Sequence, residues 1–269
     1  MAGEICAPDR FPACAQAAEA AYFFDFPLDG PTFMETKFDP IDVPDRKPRI
    51  VGVVASRADW QLVTEGDFPE LDLCELRMDL LITEQIQPHE YLKPLRLPKI
   101  LTIRDPREGG KESLSESERL NLFRELLPHV DYIDIELRNF SLYSDVIAAA
   151  RTSAKQLIVS VHDFEKTPGV EQMEQWANET ESRYPDAIFK ISVRLSRWEE
   201  MVRIGNFLVN QSRIRVAAMG MGPLGKISRL LFARLGSELT YAACGEAVVP
   251  GQWDFRTLRS ILSEIVEGN

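Results

Sequence analysis

The chain has 269 residues, and 31 Lys and Arg against 42 Asp and Glu leave a formal net charge of −11. With 45% hydrophobic and 27% charged residues, 15 Gly, 17 Pro and no low-complexity tract, the composition is globular and excludes collagen-like, coiled-coil and disordered classes. No run of Lys and Arg offers a face to phosphates and no window reaches the roughly 20 apolar residues of a membrane span, so neither nucleic acid nor membrane is expected as a partner, and a small molecule is.

Residues 1–47 contain Pro27, Pro31, Pro40 and Pro44 and show no periodic helix or strand. They are read as an N-terminal extension of unknown role ahead of a domain spanning 48–269. The stretch from Phe11 to Leu28 is rather apolar, but it lacks a basic flank and is interrupted by Glu19 and Asp25, so it is not read as a signal peptide. The four cysteines, Cys6, Cys14, Cys74 and Cys244, have no CxxC spacing, which suits a reducing, cytoplasmic compartment.

From Arg49 onward, short runs rich in Val, Ile and Leu recur: Arg49 to Ala55, Leu73 to Met78, Lys99 to Arg104, Tyr132 to Leu137, Gln156 to His162, Ala187 to Val193, Arg213 to Met219 and Leu239 to Cys244. Each is a predicted strand. Between them lie segments of helical period, such as Ser115 to Leu127 and Ser196 to Val209. Ser196 with Glu199 reads as a capping box, and Thr167-Pro168 as an N-cap followed by proline in the first turn. Strands alternating with helices pair in parallel through right-handed crossovers, and eight such units predict an α/β fold, a (β/α)8 TIM barrel. An open doubly wound sheet is the alternative.

In such a barrel, chemistry collects at the carboxyl ends of the strands. Those ends are crowded with charge: Glu75 and Arg77, Arg104 with Glu108 beyond it, Asp134 and Glu136, His162 and Lys190. Lys190 interrupts the apolar run Ala187 to Val193, where a solvated ammonium does not belong. A desolvated lysine can lose its proton near neutral pH and attack a carbonyl to form a Schiff base. The competing reading is a lysine paired with a carboxylate such as Glu136. His162 ends the neighbouring strand and suits proton transfer, with Glu108 able to orient it. The other histidines, His89 and His129, follow prolines and read as surface residues. Gly220-Met-Gly-Pro-Leu-Gly225 satisfies GxGxxG, but it follows the seventh strand and holds Pro223, so a dinucleotide is not expected. It reads instead as a loop at a helix N-terminus that receives an anion, with Arg229 behind it. No spacing suits a zinc site, and no metal or cofactor is expected.

Taken together, Glu75-Leu-Arg77, Thr102-Ile-Arg104, Glu108-Gly-Gly110, Asp134-Ile-Glu136, Ser160-Val-His-Asp-Phe164, Ile188-Phe-Lys190, Met219-Gly-Met221, Ser228-Arg229 and Pro250-Gly-Gln252 resemble the type I 3-dehydroquinate dehydratases of the shikimate pathway, from about Arg49 to Ile265. The resemblance implies a cofactor-free syn dehydration of 3-dehydroquinate to 3-dehydroshikimate. It assigns the imine to Lys190, acid and base work to His162, and orientation of that histidine to Glu108. It further implies that Arg229 clamps the substrate carboxylate, that Glu75, Arg77 and Arg104 bind hydroxyls or fix the pocket, that Met219 and Met221 wall the imine, and that Gln252 sits on a closing loop. A homodimer is implied as well. Val248 departs from the hydroxyl or small residue common in that family, so one hydrogen bond to the ligand is expected to be missing. Two rival readings remain: a metabolite-binding regulatory module like that of fungal quinate repressors, and a class I aldolase, which also places a lysine on a barrel strand.

Overall fold

The computed structural model describes residues 48–84 and 95–267. The extension at 1–47 and His89 lie outside the described residues. The eight predicted strands are present: β1 (Arg49–Val54), β2 (Leu73–Arg77), β3 (Lys99–Thr102), β4 (Tyr132–Glu136), β5 (Gln156–Asp163), β6 (Ile188–Arg194), β7 (Arg215–Met221) and β8 (Leu239–Ala243). Helices follow them in alternation: α1 (Arg57–Glu65), a single turn α2 (Met78–Leu81), α3 (Glu116–Leu126), α4 (Ser144–Thr152), α5 (Val170–Arg183), α6 (Trp198–Asn210), α7 (Gly225–Arg234) and α8 (Phe255–Glu267). No helix among the described residues is long and apolar enough to cross a membrane.

The strands form one parallel sheet in the order β7-β6-β5-β4-β3-β2-β1-β8, with β1 paired to β8 from Arg49↔Leu239 onward. The sheet therefore curls into a barrel, and the open-sheet alternative falls. Strands buried on both faces read as continuous apolar runs, which is why all eight stand out in the sequence. The seam between β7 and β8 is closed by single groups. Glu238 N–H donates to Val216 O at 2.7 Å, and the Ser237 hydroxyl accepts from Ala218 N–H and donates to Leu239 O, both at 2.9 Å.

Successive residues of each strand alternate between an inward cluster and the helix-facing core. Val51, Val53, Leu73, Ile100, Ile158, Ile188, Ala217 and Leu239 fill the lower barrel. Cys74, Leu76, Leu101, Ile133, Ile135 and Val159 face the helices with Trp60, Phe123 and Leu258. Both described cysteines are buried free thiols, and burial pushes that of Cys74 up to about 12.

Two helix starts differ from expectation. At α6 the carboxylate that accepts the Ser196 and Arg197 N–H groups, at 2.8 and 3.0 Å, belongs to Glu200 rather than Glu199. At α5 the N-cap is Gly169, and Thr167 donates its hydroxyl to Arg194 O at 2.6 Å, tying the loop to β6 instead of capping a helix. A capping box does form at α3: Ser115 N–H donates to Glu118 at 2.8 Å, and Glu118 N–H to the Ser115 hydroxyl at 3.3 Å.

Candidate active site

Two pleats above the apolar filling, the inward positions turn polar. Leu73 is followed on its face by Glu75 and Arg77, Ile100 by Thr102 and Arg104, Ile158 by Ser160 and His162, and Ile188 by Lys190 and Ser192. β4 contributes Asp134 and Glu136 at the same levels. The result is a buried polar floor at the carboxyl end of the barrel, beneath a cavity of about 930 Å³. Glu75, Arg77, Arg104, Glu108, His162, Lys190, Met219, Met221, Arg229 and Gln252 all line this one cavity, together with Tyr241 and Val248.

Lys190 is buried and doubly paired. Its Nζ lies 2.8 Å from Asp134 Oδ2 and 3.2 Å from Glu75 Oε1, and 3.9 Å from the centre of the Tyr241 ring. Glu136, the partner named from sequence, pairs instead with Arg104 at 2.8 Å. Arg104 also reaches Asp134 at 3.0 Å and donates to the Ser160 hydroxyl at 2.7 Å. Burial opposes both charges of this pair, but Asp134 and Glu136 hold the Arg104 guanidinium well above its usual value. Conversely, Arg104 and Lys190 outweigh burial and hold the Asp134 carboxyl well below the usual carboxylate range.

Glu108 is carried by a 3-10 turn, Pro106–Glu108, that Asp105 caps by accepting Arg107 N–H at 2.8 Å. The chain leaves the turn through Gly109 at φ +83, and a Cβ on Gly110 would sit 1.9 Å from Arg104 O, so both glycines are needed to fold the loop back over β3. Glu108 Oε2 then lies 3.0 Å from His162 Nδ1 and accepts His162 N–H at 3.0 Å. Burial, then the charge of Glu136, pushes the Glu108 carboxyl up to about 7. Burial, then the charges of Arg104 and Lys190, holds His162 well below its usual value, so the imidazole is neutral at neutral pH. A carboxylate at Nδ1 favours the tautomer that leaves Nε2 with a lone pair, the form a general base requires.

Across the cavity, Arg229 spans the seam. Nε donates to Tyr241 O at 3.0 Å, and Nη1 to Gly220 O, Gly225 O and Gly251 O at 2.7, 2.9 and 2.6 Å. Among the described residues no carboxylate pairs with it, and Nη2 has no partner. Burial alone pushes it down to about 10. A buried cation without a counter-charge is an anion site in waiting. It stands against the glycine loop, through Gly220 O and Gly225 O, and also ties that loop to the segment bearing Gln252. A Cβ on Gly225 would lie 2.8 Å from the Gly251 Cα, so the two backbones touch where Arg229 joins them. Gln252 is folded inward, its side-chain carbonyl accepting Val248 N–H at 2.7 Å and Val249 N–H at 3.3 Å. Arg77 is paired with Asp79 through Nε and Nη2, at 3.0 and 2.8 Å. His129 is exposed, just ahead of β4, and does not line the cavity.

The family model described as type I 3-dehydroquinase matches residues 53–268. The chain belongs to the type I 3-dehydroquinase family. Relatives include the 3-dehydroquinate dehydratase of Thermococcus gammatolerans, 35% identical over 214 residues that cover 79% of this chain and 97% of that protein. Another is the 3-dehydroquinate dehydratase of Methanococcus maripaludis, 37% identical over 203 residues, covering 73% and 88%. Among solved structures, the type I 3-dehydroquinate dehydratase of Clostridium difficile with covalently modified comenic acid superposes with a TM-score of 0.74 at 26% identity, covering 84% of this chain and 96% of that one.

The residue that sequence reasoning missed is Tyr241. In Leu239-Thr-Tyr-Ala-Ala243 it reads as core, and its hydroxyl indeed has no partner among the described residues. Only the curvature of the barrel brings its ring against the Lys190 ammonium.

Proposed function

We propose that this chain dehydrates 3-dehydroquinate to 3-dehydroshikimate through an imine on Lys190, as a step of the shikimate pathway toward aromatic amino acids. The observation that carries this reading is a buried lysine and a neutral histidine on adjacent strands, facing an unpaired buried guanidinium across one cavity. Arg229 would take the substrate carboxylate on Nη2, which turns the ring ketone toward Lys190. The iminium then draws electron density from the adjacent carbon, so a neutral imidazole suffices to remove its proton. His162 passes a proton to the departing hydroxyl, and Glu108 positions the imidazole for both steps. Arg77, with Nη1 left over from its pair with Asp79, and Arg104, fixed in the floor, set the pocket for the ring hydroxyls, as does Glu75. Met219 and Met221 keep water from the imine, and Gln252 belongs to the segment that covers the ligand. The iminium is itself the electron sink, so the scheme calls for no cofactor. This reading includes a cytoplasmic homodimer, which sedimentation velocity tests for its stoichiometry.

The direct test is borohydride reduction in the presence of 3-dehydroquinate, followed by mass spectrometry of peptides. The expected result is an adduct on Lys190, with 3-dehydroshikimate in the unreduced control. Folded protein that yields neither would overturn the proposal and favour a metabolite-binding module.

A further inference from the structure

An imine cannot form from the lysine as the structure holds it. Paired with two carboxylates, Lys190 is an ammonium with no lone pair, and it must shed a proton before Nζ can attack a carbonyl. The groups that face Nζ are Glu75 from β2, Arg104 from β3, Asp134 from β4, His162 from β5 and Tyr241 from β8, while β1 and β7 present only Val51, Val53, Ala217 and Met219. Arg104 is a cation and the Tyr241 phenol a proton donor. If His162 took the proton, it would enter the reaction as imidazolium and could not serve as the base at the adjacent carbon. The choice lies between the two carboxylates.

They are held very differently. Asp134 receives the Arg104 guanidinium at 3.0 Å and the Ser160 hydroxyl at 2.6 Å besides the lysine at 2.8 Å, so protonating it would break up three bonds at once and leave Arg104 to Glu136 alone. Glu75 receives only the Thr102 hydroxyl at 2.9 Å and the lysine at 3.2 Å, and its second oxygen has no partner among the described residues while the side chain lines the cavity. It faces Arg77 on its own strand, Arg104, and Tyr241, none of which bonds to it.

The geometry points to Glu75 as the catalytic acceptor of the Lys190 proton, with Asp134 kept as the permanent counter-ion. This rests on the imine reading above. The steps balance without an added reactant. Glu75 takes one proton from the ammonium, and the freed amine forms the C–N bond as the carbonyl π bond breaks. A second proton moves from nitrogen to oxygen through His162, giving the carbinolamine. Glu75 returns its proton to that hydroxyl, which leaves as water while nitrogen forms the C=N bond. The iminium inherits the place of the ammonium beside Asp134, and Glu75 is again a carboxylate.

The test is the rate of borohydride-trappable adduct formation at Lys190 with 3-dehydroquinate, by rapid quench from pH 6 to pH 10, in the wild type, E75Q and D134N. With E75Q the rate is expected to fall about a hundredfold or more at neutral pH and to recover steadily as pH rises, because the amine must then lose its proton to solvent. D134N is expected to lose rate without that recovery. Circular dichroism establishes folding of each variant. If E75Q does not fold, E75D is expected to show the same pH-dependent loss in smaller measure. A wild-type rate at neutral pH for E75Q, or an equal loss at every pH, overturns the role of Glu75. No adduct in the wild type overturns the imine reading itself and is distinguished by that control.

Discussion

The floor of the cavity and its β7–β8 wall bury cations equally deeply and treat them in opposite ways. On the floor, Lys190 and Arg104 share three carboxylates, Glu75, Asp134 and Glu136, so each cation is matched within the protein. At the wall, Arg229 makes four hydrogen bonds to backbone carbonyls and meets no acid among the described residues. A compensated network is rigid and can lend a proton without gathering net charge. An uncompensated guanidinium gains most from an anion brought by the ligand. The division teaches where reaction and where recognition reside: bond-making where the cations are already matched, binding where one is not.

The sharpest break of the floor is Lys190→Ala, which is expected to remove turnover altogether, a fall of at least about 10⁴-fold. It also strands the Glu75 carboxylate and takes one of two cations from Asp134, at a cost of about 3–5 kcal/mol, so folding must be checked beside the assay. His162→Ala is expected to slow product formation by about 10²–10⁴-fold, with the Lys190 adduct forming more slowly but still trappable. Arg229→Lys tests the wall, since it keeps the charge but loses the fork. Losing charged hydrogen bonds of about 2–3 kcal/mol predicts a rise in KM of roughly thirtyfold or more, larger than the change in kcat. The pH profile of kcat/KM sharpens the link between Glu108 and His162. Only the Glu108 carboxylate accepts from Nδ1–H, and its carboxyl is pushed up to about 7, so activity is expected to rise from acid pH and level above about 7. Glu108→Gln should erase that limb and lower the plateau. The smallest effect belongs to the seam: Ser237→Ala leaves Ala218 N–H without an acceptor and should cost about 1–2 kcal/mol, read as a lower Tm with kcat little changed.

Much of this was legible in residue order, and the reason is the pleat. Glu75 and Arg77, Asp134 and Glu136, and Ser160 and His162 stand two apart, so each pair points the same way, into the barrel. What the order of residues does not carry is the stagger between strands. Asp134 and Glu136 are equal candidates for Lys190 by parity; the pairing even sets Glu136 and Lys190 on either side of Ser160, and it is the tilt of the strands in the barrel that brings Asp134 to Nζ. Tyr241 was hidden because an aromatic in an apolar strand has no polar signature. The span of Arg229 was hidden because its partners are carbonyls, which every residue possesses. The capping error at α6 has a local cause: two consecutive glutamates offer two candidate boxes, and the turn places the second against the backbone N–H groups.

The pairing of β1 with β8 has a consequence for how the chain is made. Arg49 emerges from the ribosome long before its partner Leu239, so one edge of the first strand has no neighbour until the last strand is synthesised. Contacts so distant along the chain are slow to form and leave an intermediate with an open, adhesive edge. Strands β1 to β7 can assemble as a growing sheet during synthesis, but the ring, and with it the approach of Tyr241 to Lys190, is a late event. The active site therefore matures at the end of folding, when its last wall arrives.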